Sequence, residues 1–248
     1  MRDRTFLLET AEELTALELL RVARTKLRRR IAGIGASGGR YRWTPGAVID
    51  ALTGPELLLR NYLEERDLRQ YLQVVQESRA IKKAADIGCG FGRLEMLLSE
   101  YAKEVVGFER EPALAETARL LLSSLQPSVR IITIEDLTEL PASEGEFDFT
   151  MTFTVLMHLT ETKARAVIEQ MKRMTAPGGF VLLCEQTDSS DRFGDVRSER
   201  ALLAQGRDIA VYEAWMQPMT LVKSSARVVE PTYWLKNVGS YMLYRKPA

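Results

Sequence analysis

From Ala85 the chain reads ADIGCGFGR: three glycines at alternate positions, behind a short apolar run and ahead of a helical stretch, RLEMLLSEYAKE. A backbone this bare can turn sharply and lets a ligand approach the main chain. The segments around it fix the fold class. From Lys82 onward short apolar runs alternate with helical stretches: VVGFE, PALAETARLLLSSL, VRIITIED, FDFTMTF, ETKARAVIEQMKRMTA and FVLLCEQ. Alternation of this kind predicts βαβ units and an α/β, doubly wound, mostly parallel sheet. Pro112 suits a first helical position, and Pro177-Gly178-Gly179 stops a helix before the next strand. In such sheets ligands bind past the carboxyl ends of the strands, where strand order reverses. Gly88, Gly90 and Gly92 therefore mark a binding edge. After Gln186 a polar loop, TDSSDRFGD, precedes a predicted helix near 197–215. Two strands come next, MTLVKSSARVVE and VGSYMLYRK, expected to pair antiparallel at a sheet edge.

The residues ahead of the alternation read differently. Residues 5–30 show apolar residues at helical spacing, with acids early and bases late, as the helix dipole favours. The basic end, RTKLRRR, reads as a solvated helix terminus, with a phosphate contact as the sharper alternative. The leucine stripe also admits a homodimer contact. Residues 33–39 hold a cluster of glycines, and Tyr41, Arg42 and Trp43 come just after. Such a segment suits a lid or a linker. Residues 46–79 read as helical, with Pro55 starting a new helix. The expected organisation is a helical extension and lid over 1–80 and a ligand-binding α/β domain over 81–248.

Composition narrows the partners. Of 248 residues 46% are hydrophobic, enough for a real core. Lys plus Arg and Asp plus Glu both total 34, which argues against wrapping a polyanion. A nucleic-acid partner is therefore not expected. No apolar run approaches the roughly 18 residues that span a bilayer, and the chain reads as cytoplasmic. The 2 cysteines, Cys89 and Cys184, show no metal spacing and read as free thiols of a reducing compartment. No metal site is expected.

A dinucleotide fingerprint, G-x-G-x-x-G, would place its third glycine at position 93. Here position 93 is Arg, the third glycine is Gly92, and Asp86 precedes the set. This D-x-G-x-G-x-G pattern resembles the first motif of the class I S-adenosylmethionine-dependent methyltransferases. Other features fall where that family has them. EVVGFE ends in Glu109, about 20 residues after the loop, where an acid can take both ribose hydroxyls. EDLTELP resembles the family's Asp-x-x-x-Leu-Pro, FDFTMTFTVLMHL its Phe-Asp strand and Val-Leu-x-His turn, and APGGFVLLCEQ its Pro-Gly-Gly strand. The likeness is detailed over about residues 82–186.

The resemblance implies a Rossmann-like sheet of seven strands, six parallel, with the last, antiparallel strand inserted beside the fifth. It implies S-adenosylmethionine as cofactor. The cofactor site it implies comprises Asp86, Gly88, Cys89, Gly90, Gly92, Glu109, Arg110, Asp136, Leu137 and Thr154. Asp136 and the Leu137 amide would contact adenine. Asp86 would order the loop or reach the cofactor's amino group, and Cys89 needs no redox role.

The implied activity is methyl transfer to a small polar acceptor, favoured at a hydroxyl. An alcohol gains from a base that removes its proton, and the chain's 1 histidine, His158, lies just past the fourth strand. Imidazole is a suitable base. The same histidine would also serve merely to shape the turn. Glu185 is a second candidate base, and Asp188 lies just beyond it; either could instead bind polar groups of the acceptor. Residues 31–79 and 187–217 would build the acceptor pocket, with Tyr212 and Trp215 as candidate walls. VGSYMLYRKP resembles enzymes that methylate sugars and other natural-product hydroxyls. The competing readings are an N-methyltransferase, a methyltransferase of protein or nucleic acid, and a non-catalytic partner that binds the cofactor structurally.

Overall fold

The computed structural model describes residues 54–123, 126, 128–189, 192–194, 202–227 and 239–248. The predicted helix over 5–30 and the glycine and Tyr-Arg-Trp stretch lie outside the described residues. Helix α1, Gly54–Ser78, opens the described chain, with Pro55 in its first turn. The core then runs β1 (Ile81–Ile87), α2 (Glu95–Tyr101), β2 (Ala102–Glu109), α3 (Pro112–Leu122), β3 (Val129–Thr133) and β4 (Phe147–Phe153). It continues through a short 3₁₀ turn, Leu156–His158, to α4 (Glu161–Met174) and β5 (Thr175–Gln186). A small pair, β6 (Arg192–Gly194) and β7 (Leu202–Gln205), precedes α5 (Ile209–Met216), β8 (Thr220–Arg227) and β9 (Gly239–Arg245).

The main sheet has 7 strands in the order β3-β2-β1-β4-β5-β9-β8. β9 runs antiparallel to both β5 and β8, and the remaining pairings are parallel. This is the insertion the resemblance implied. Strand order reverses between β1 and β4, so the glycine loop leaves the sheet at its switch point. β4 is central and buried along its whole length, as expected for a strand covered on both faces.

Each face carries its own core. On one, Ala85, Ile87, Val181 and Leu183 pack against Val167, Ile168 and Met171 of α4 and Tyr212 and Met216 of α5. On the other, Ala84, Phe149, Leu182 and Tyr241 meet Leu68, Tyr71, Leu72 and Val75 of α1 with Leu97 and Leu98 of α2. Each large apolar side chain so buried contributes about 1.5–3 kcal/mol. The second core draws α1 directly onto the sheet.

One predicted element is corrected. Residues 202–205, expected inside a helix near 197–215, form β7, paired antiparallel with residues 192–194. Helix begins only at Ile209. Gly206 breaks the segment: a Cβ there would stand 1.9 Å from the Asp188 carbonyl oxygen. The chain is drawn back to the end of β5, where the Arg207 amide donates to Gln186 O at 3.1 Å.

Candidate active site

The site is built along the carboxyl edge of β1, β2, β4 and β5. β1 ends at Ile87, and the Gly88 and Cys89 amides donate to Phe108 O at 2.7 and 3.1 Å, fastening the loop across the end of β2. Gly88, Gly90 and Gly92 all have positive φ, of 80°, 61° and 83°. Their surroundings separate their roles. A Cβ at Gly88 would meet Val155 Cγ2 at 2.5 Å, and one at Gly92 would meet Leu122 Cδ1 at 2.6 Å. These two serve packing as well as the turn. A Cβ at Gly90 would meet nothing within 4 Å, so its bare backbone faces open space where a ligand can approach.

Glu109 closes the other side of that space. It is buried, and each carboxylate oxygen takes one amide: Oε2 from Gly90 at 2.8 Å and Oε1 from Glu111 at 2.7 Å. A carboxylate offers about four lone-pair sites. One therefore remains on each oxygen, matching a ribose with both hydroxyls free. The open cradle at Gly90 and this carboxylate together fit the expected cofactor.

The other residues expected at the cofactor follow the ends of β2, β3 and β4 in the chain. The chain runs from β3 to Asp136 across the end of β2, joined where the Ile134 amide donates to Glu109 O at 3.0 Å. Asp136 Oδ1 accepts from the Thr138 amide and hydroxyl, both at 2.9 Å, and Oδ2 from Lys163 Nζ at 2.9 Å. The Lys163 ammonium, helped by the Thr138 amide, holds its carboxyl down at about 2. Leu137 is buried in the core. Arg110 is exposed just beyond β2. Thr154 has φ of 58°, a left-handed conformation costly for a β-branched residue. Such strain collects at ligand sites.

Cys89 packs over Gly107, where a Cβ would come within 2.7 Å of its sulfur. Burial and neighbouring acids push its thiol far up, so it stays a neutral packing group. Cys184 is buried and raised in the same way. Among the described residues no cluster of three or more His, Cys, Asp or Glu side chains could hold a metal ion.

His158 closes the 3₁₀ turn after β4 and is half-buried. That turn is gripped from two sides. Glu185 is wholly buried and accepts from the Val155 amide at 3.1 Å and the Met157 amide at 3.2 Å. Burial pushes its carboxyl up, and these amides pull it back. Arg207, also buried, donates to Leu156 O at 2.8 Å and Leu159 O at 2.6 Å. Its guanidinium lies 5.7 Å from the centre of the Trp215 ring, and Trp215 stacks edge-on with Tyr212 at 5.9 Å. Both aromatics predicted as acceptor walls are buried, beside the guanidinium that supports the turn. Asp188 is half-buried beyond β5.

Arg207 carried no signal in the sequence, since its position depends on the β7 turn-back. Two further residues escaped for the same reason, that long-range packing places them. The partners of Arg93 lie on α1, the wholly buried Glu64 at 2.6 Å and Asn61 at 3.2 Å. Glu95, in an ordinary helix stretch, is wholly buried behind the loop.

Residues 84–179 match the family model described as "Methyltransferase domain". The chain is 30% identical over 176 residues to the ubiquinone biosynthesis O-methyltransferase of Marinobacter nauticus, covering 69% of this chain and 68% of that protein. It is 28% identical over 110 residues to the chloroplastic tocopherol O-methyltransferase of Arabidopsis thaliana, covering 44% of this chain and 31% of that protein. Among solved structures, the N-methyltransferase NodS of Bradyrhizobium japonicum in complex with S-adenosyl-L-homocysteine superposes with a TM-score of 0.56 at 19% identity, over 74% of this chain and 87% of that one.

Proposed function

Because the chain belongs to the class I S-adenosylmethionine-dependent methyltransferases, we propose that it transfers the methyl group to a hydroxyl oxygen of a small polar acceptor. The observation that carries this reading is the turn bearing His158, fixed between the buried Glu185 carboxylate and the buried Arg207 guanidinium. O-methylation is named in the relatives from Marinobacter and Arabidopsis, which supports the choice of oxygen.

The bound cofactor supplies a methyl group activated by a sulfonium. The chain's own tasks are to hold that methyl in line with the acceptor oxygen and to remove the hydroxyl proton. Alignment alone lowers a barrier by up to roughly 7–11 kcal/mol in well-ordered systems. His158 takes the proton, Glu185 and Arg207 hold its turn in place, and Asp188 binds acceptor polar groups. A sugar or another polyhydroxylated natural product suits a site bordered by acids. No helix among the described residues is long and apolar enough to cross a membrane.

The test is a screen of acceptor pools with labelled cofactor, read by mass, and then His158→Ala on any acceptor found. Loss of the base should lower kcat by about 10²–10⁴ while leaving S-adenosylhomocysteine affinity within about twofold. Methyl transfer to an amine at an unchanged rate in the variant would overturn the reading.

A further inference from the structure

Arg227 ends β8 and is sealed from solvent, 7% exposed. It is level with Gly239 of β9, which is itself level with Gln186 at the end of β5. The residue therefore stands at the carboxyl edge of the sheet, the edge that carries Glu185 and the His158 turn. Its side chain crosses β9 over Gly239, where a Cβ would stand 2.6 Å from Nε. Only a bare backbone admits that path. The guanidinium lies on the face covered by α1, beside Cys184 and Tyr241.

Little there answers its charge. Arg227 Nε and Nη1 meet no hydrogen-bond acceptor among the described residues. Nη1 is 3.9 Å from Oε1 of the wholly buried Glu64, and Glu64 already pairs with Arg93 at 2.6 Å. Arg93 lies over the Phe153 ring, 5.5 Å from its centre. Two guanidiniums thus share one carboxylate across the ends of β4, β5, β9 and β8. Cys184 is a neutral thiol, pushed up by burial, and offers only a weak acceptor. The buried Tyr241 hydroxyl has no hydrogen-bond partner among the described residues either. Glu185 follows Cys184 on β5 and so points to the opposite face, where the Val155 and Met157 amides occupy it. A buried lysine or acid would shed its charge, but a guanidinium does not. Left unanswered it costs the ligand-free fold stability, and it calls for an anion.

We propose that Arg227 binds a carboxylate of the acceptor, so that the substrate is a hydroxy acid, such as a sugar acid, methylated at its hydroxyl. The guanidinium and the Tyr241 hydroxyl both donate to carboxylate oxygens, and the charge strengthens those bonds. One guanidinium and one hydroxyl suit a singly charged carboxylate, whereas a phosphate dianion would be left short of donors. The carboxylate anchors the acceptor on the β8–β9 side of the edge, and its hydroxyl reaches towards the His158 turn. No bond is made or broken at Arg227, which acts in binding and specificity. The inference rests on the hydroxyl-acceptor reading and narrows it to one substrate class.

The test is transfer from labelled S-adenosylmethionine to two matched pools, read by mass. One pool holds sugar acids and other hydroxy acids, and the second holds the same compounds as their ethyl esters. The esters keep every hydroxyl and lose the anion. The full chain should label the acids about 10²-fold faster or more, since an ester leaves the guanidinium unpaired. Equal labelling of acids and esters would overturn this inference and leave the hydroxyl reading standing. No label on a hydroxyl in either pool would overturn that reading, and this inference with it. Neither outcome needs a variant to fold. Arg227→Met should bring the ratio of kcat/KM for acid over ester down to about one. The urea midpoint of the ligand-free variant should equal or exceed that of the unaltered chain, because a buried charge without an acceptor is replaced by an apolar group of similar size. A variant that keeps the preference for acids, or whose midpoint falls, would show that Arg227 serves the fold and would overturn the assignment.

Discussion

Gly90 and Gly92 hold similar backbone angles, 61° and 83°, and alanine should harm them differently. At Gly92 the added methyl meets Leu122 Cδ1 at 2.6 Å and Ala118 Cβ at 3.1 Å. Left-handed strain and overpacking then act together, costing about 2–4 kcal/mol. A thermal melt should show a fall of about 5 °C or more. At Gly90 the methyl meets no protein atom within 4 Å, so stability should fall only by the strain, about 1–2 kcal/mol. The methyl would sit in the ligand's space, and S-adenosylhomocysteine titration should show a loss of about tenfold or more. If Gly90→Ala bound ligand normally, the cradle would lie elsewhere. The glycines, Glu109 and Asp136 were legible in the sequence because the chain closes this part of the site locally: a strand end, a turn, and an acid on the next strand. Glu95 was not legible. A lone acid in a short amphipathic helix reads as a solvated residue, and its burial depends on the packing of α1 and α2 over the same face.

At the scale of elements, the turn between β4 and α4 is the feature with most at stake. A carboxylate receives its amides and a guanidinium serves its carbonyls, so both buried charges are used for geometry. Arg207→Met removes donors from two buried carbonyls, those of Leu156 and Leu159. The expected cost is about 3 kcal/mol, read by denaturant unfolding. Methyl-transfer kcat should fall with the loosened turn, while S-adenosylhomocysteine affinity holds, because Glu109 and the glycine loop sit on other strands. An equal loss of both would show that the turn supports the cofactor rather than the acceptor step. The helical elements were mostly predictable from apolar spacing. The failure over 202–205 has a physical cause: ALLAQ has good helix formers, but tertiary pairing with residues 192–194 overrides that local preference. No sequence period distinguishes the two outcomes over so short a run.

For the whole molecule, strand order was legible through family resemblance rather than through pattern. Alternating runs indicate a parallel sheet, but nothing in VGSYMLYRK states that β9 slots between β5 and β8. Two buried acids, Asp86 before the glycine loop and Glu95 after it, make a prediction for global stability. Burial pushes the Glu95 carboxyl from 4.5 up to about 7, so across that window the folded chain keeps a proton the unfolded chain has lost. Stability of the ligand-free protein should therefore fall as pH rises from 4.5 through neutrality. Glu95→Gln should flatten this slope, as tracked by urea midpoints across the range. An identical slope in the variant would place the titration elsewhere. The central claim is that Gly90 and Glu109 together cradle the cofactor's adenosine, and a crystal structure with S-adenosylhomocysteine tests it most directly. The predicted result is a ligand lying across the Gly90 backbone with both ribose hydroxyls bonded to the Glu109 carboxylate. A ligand bound with its ribose hydroxyls turned away from Glu109, or away from the glycine loop altogether, would contradict it.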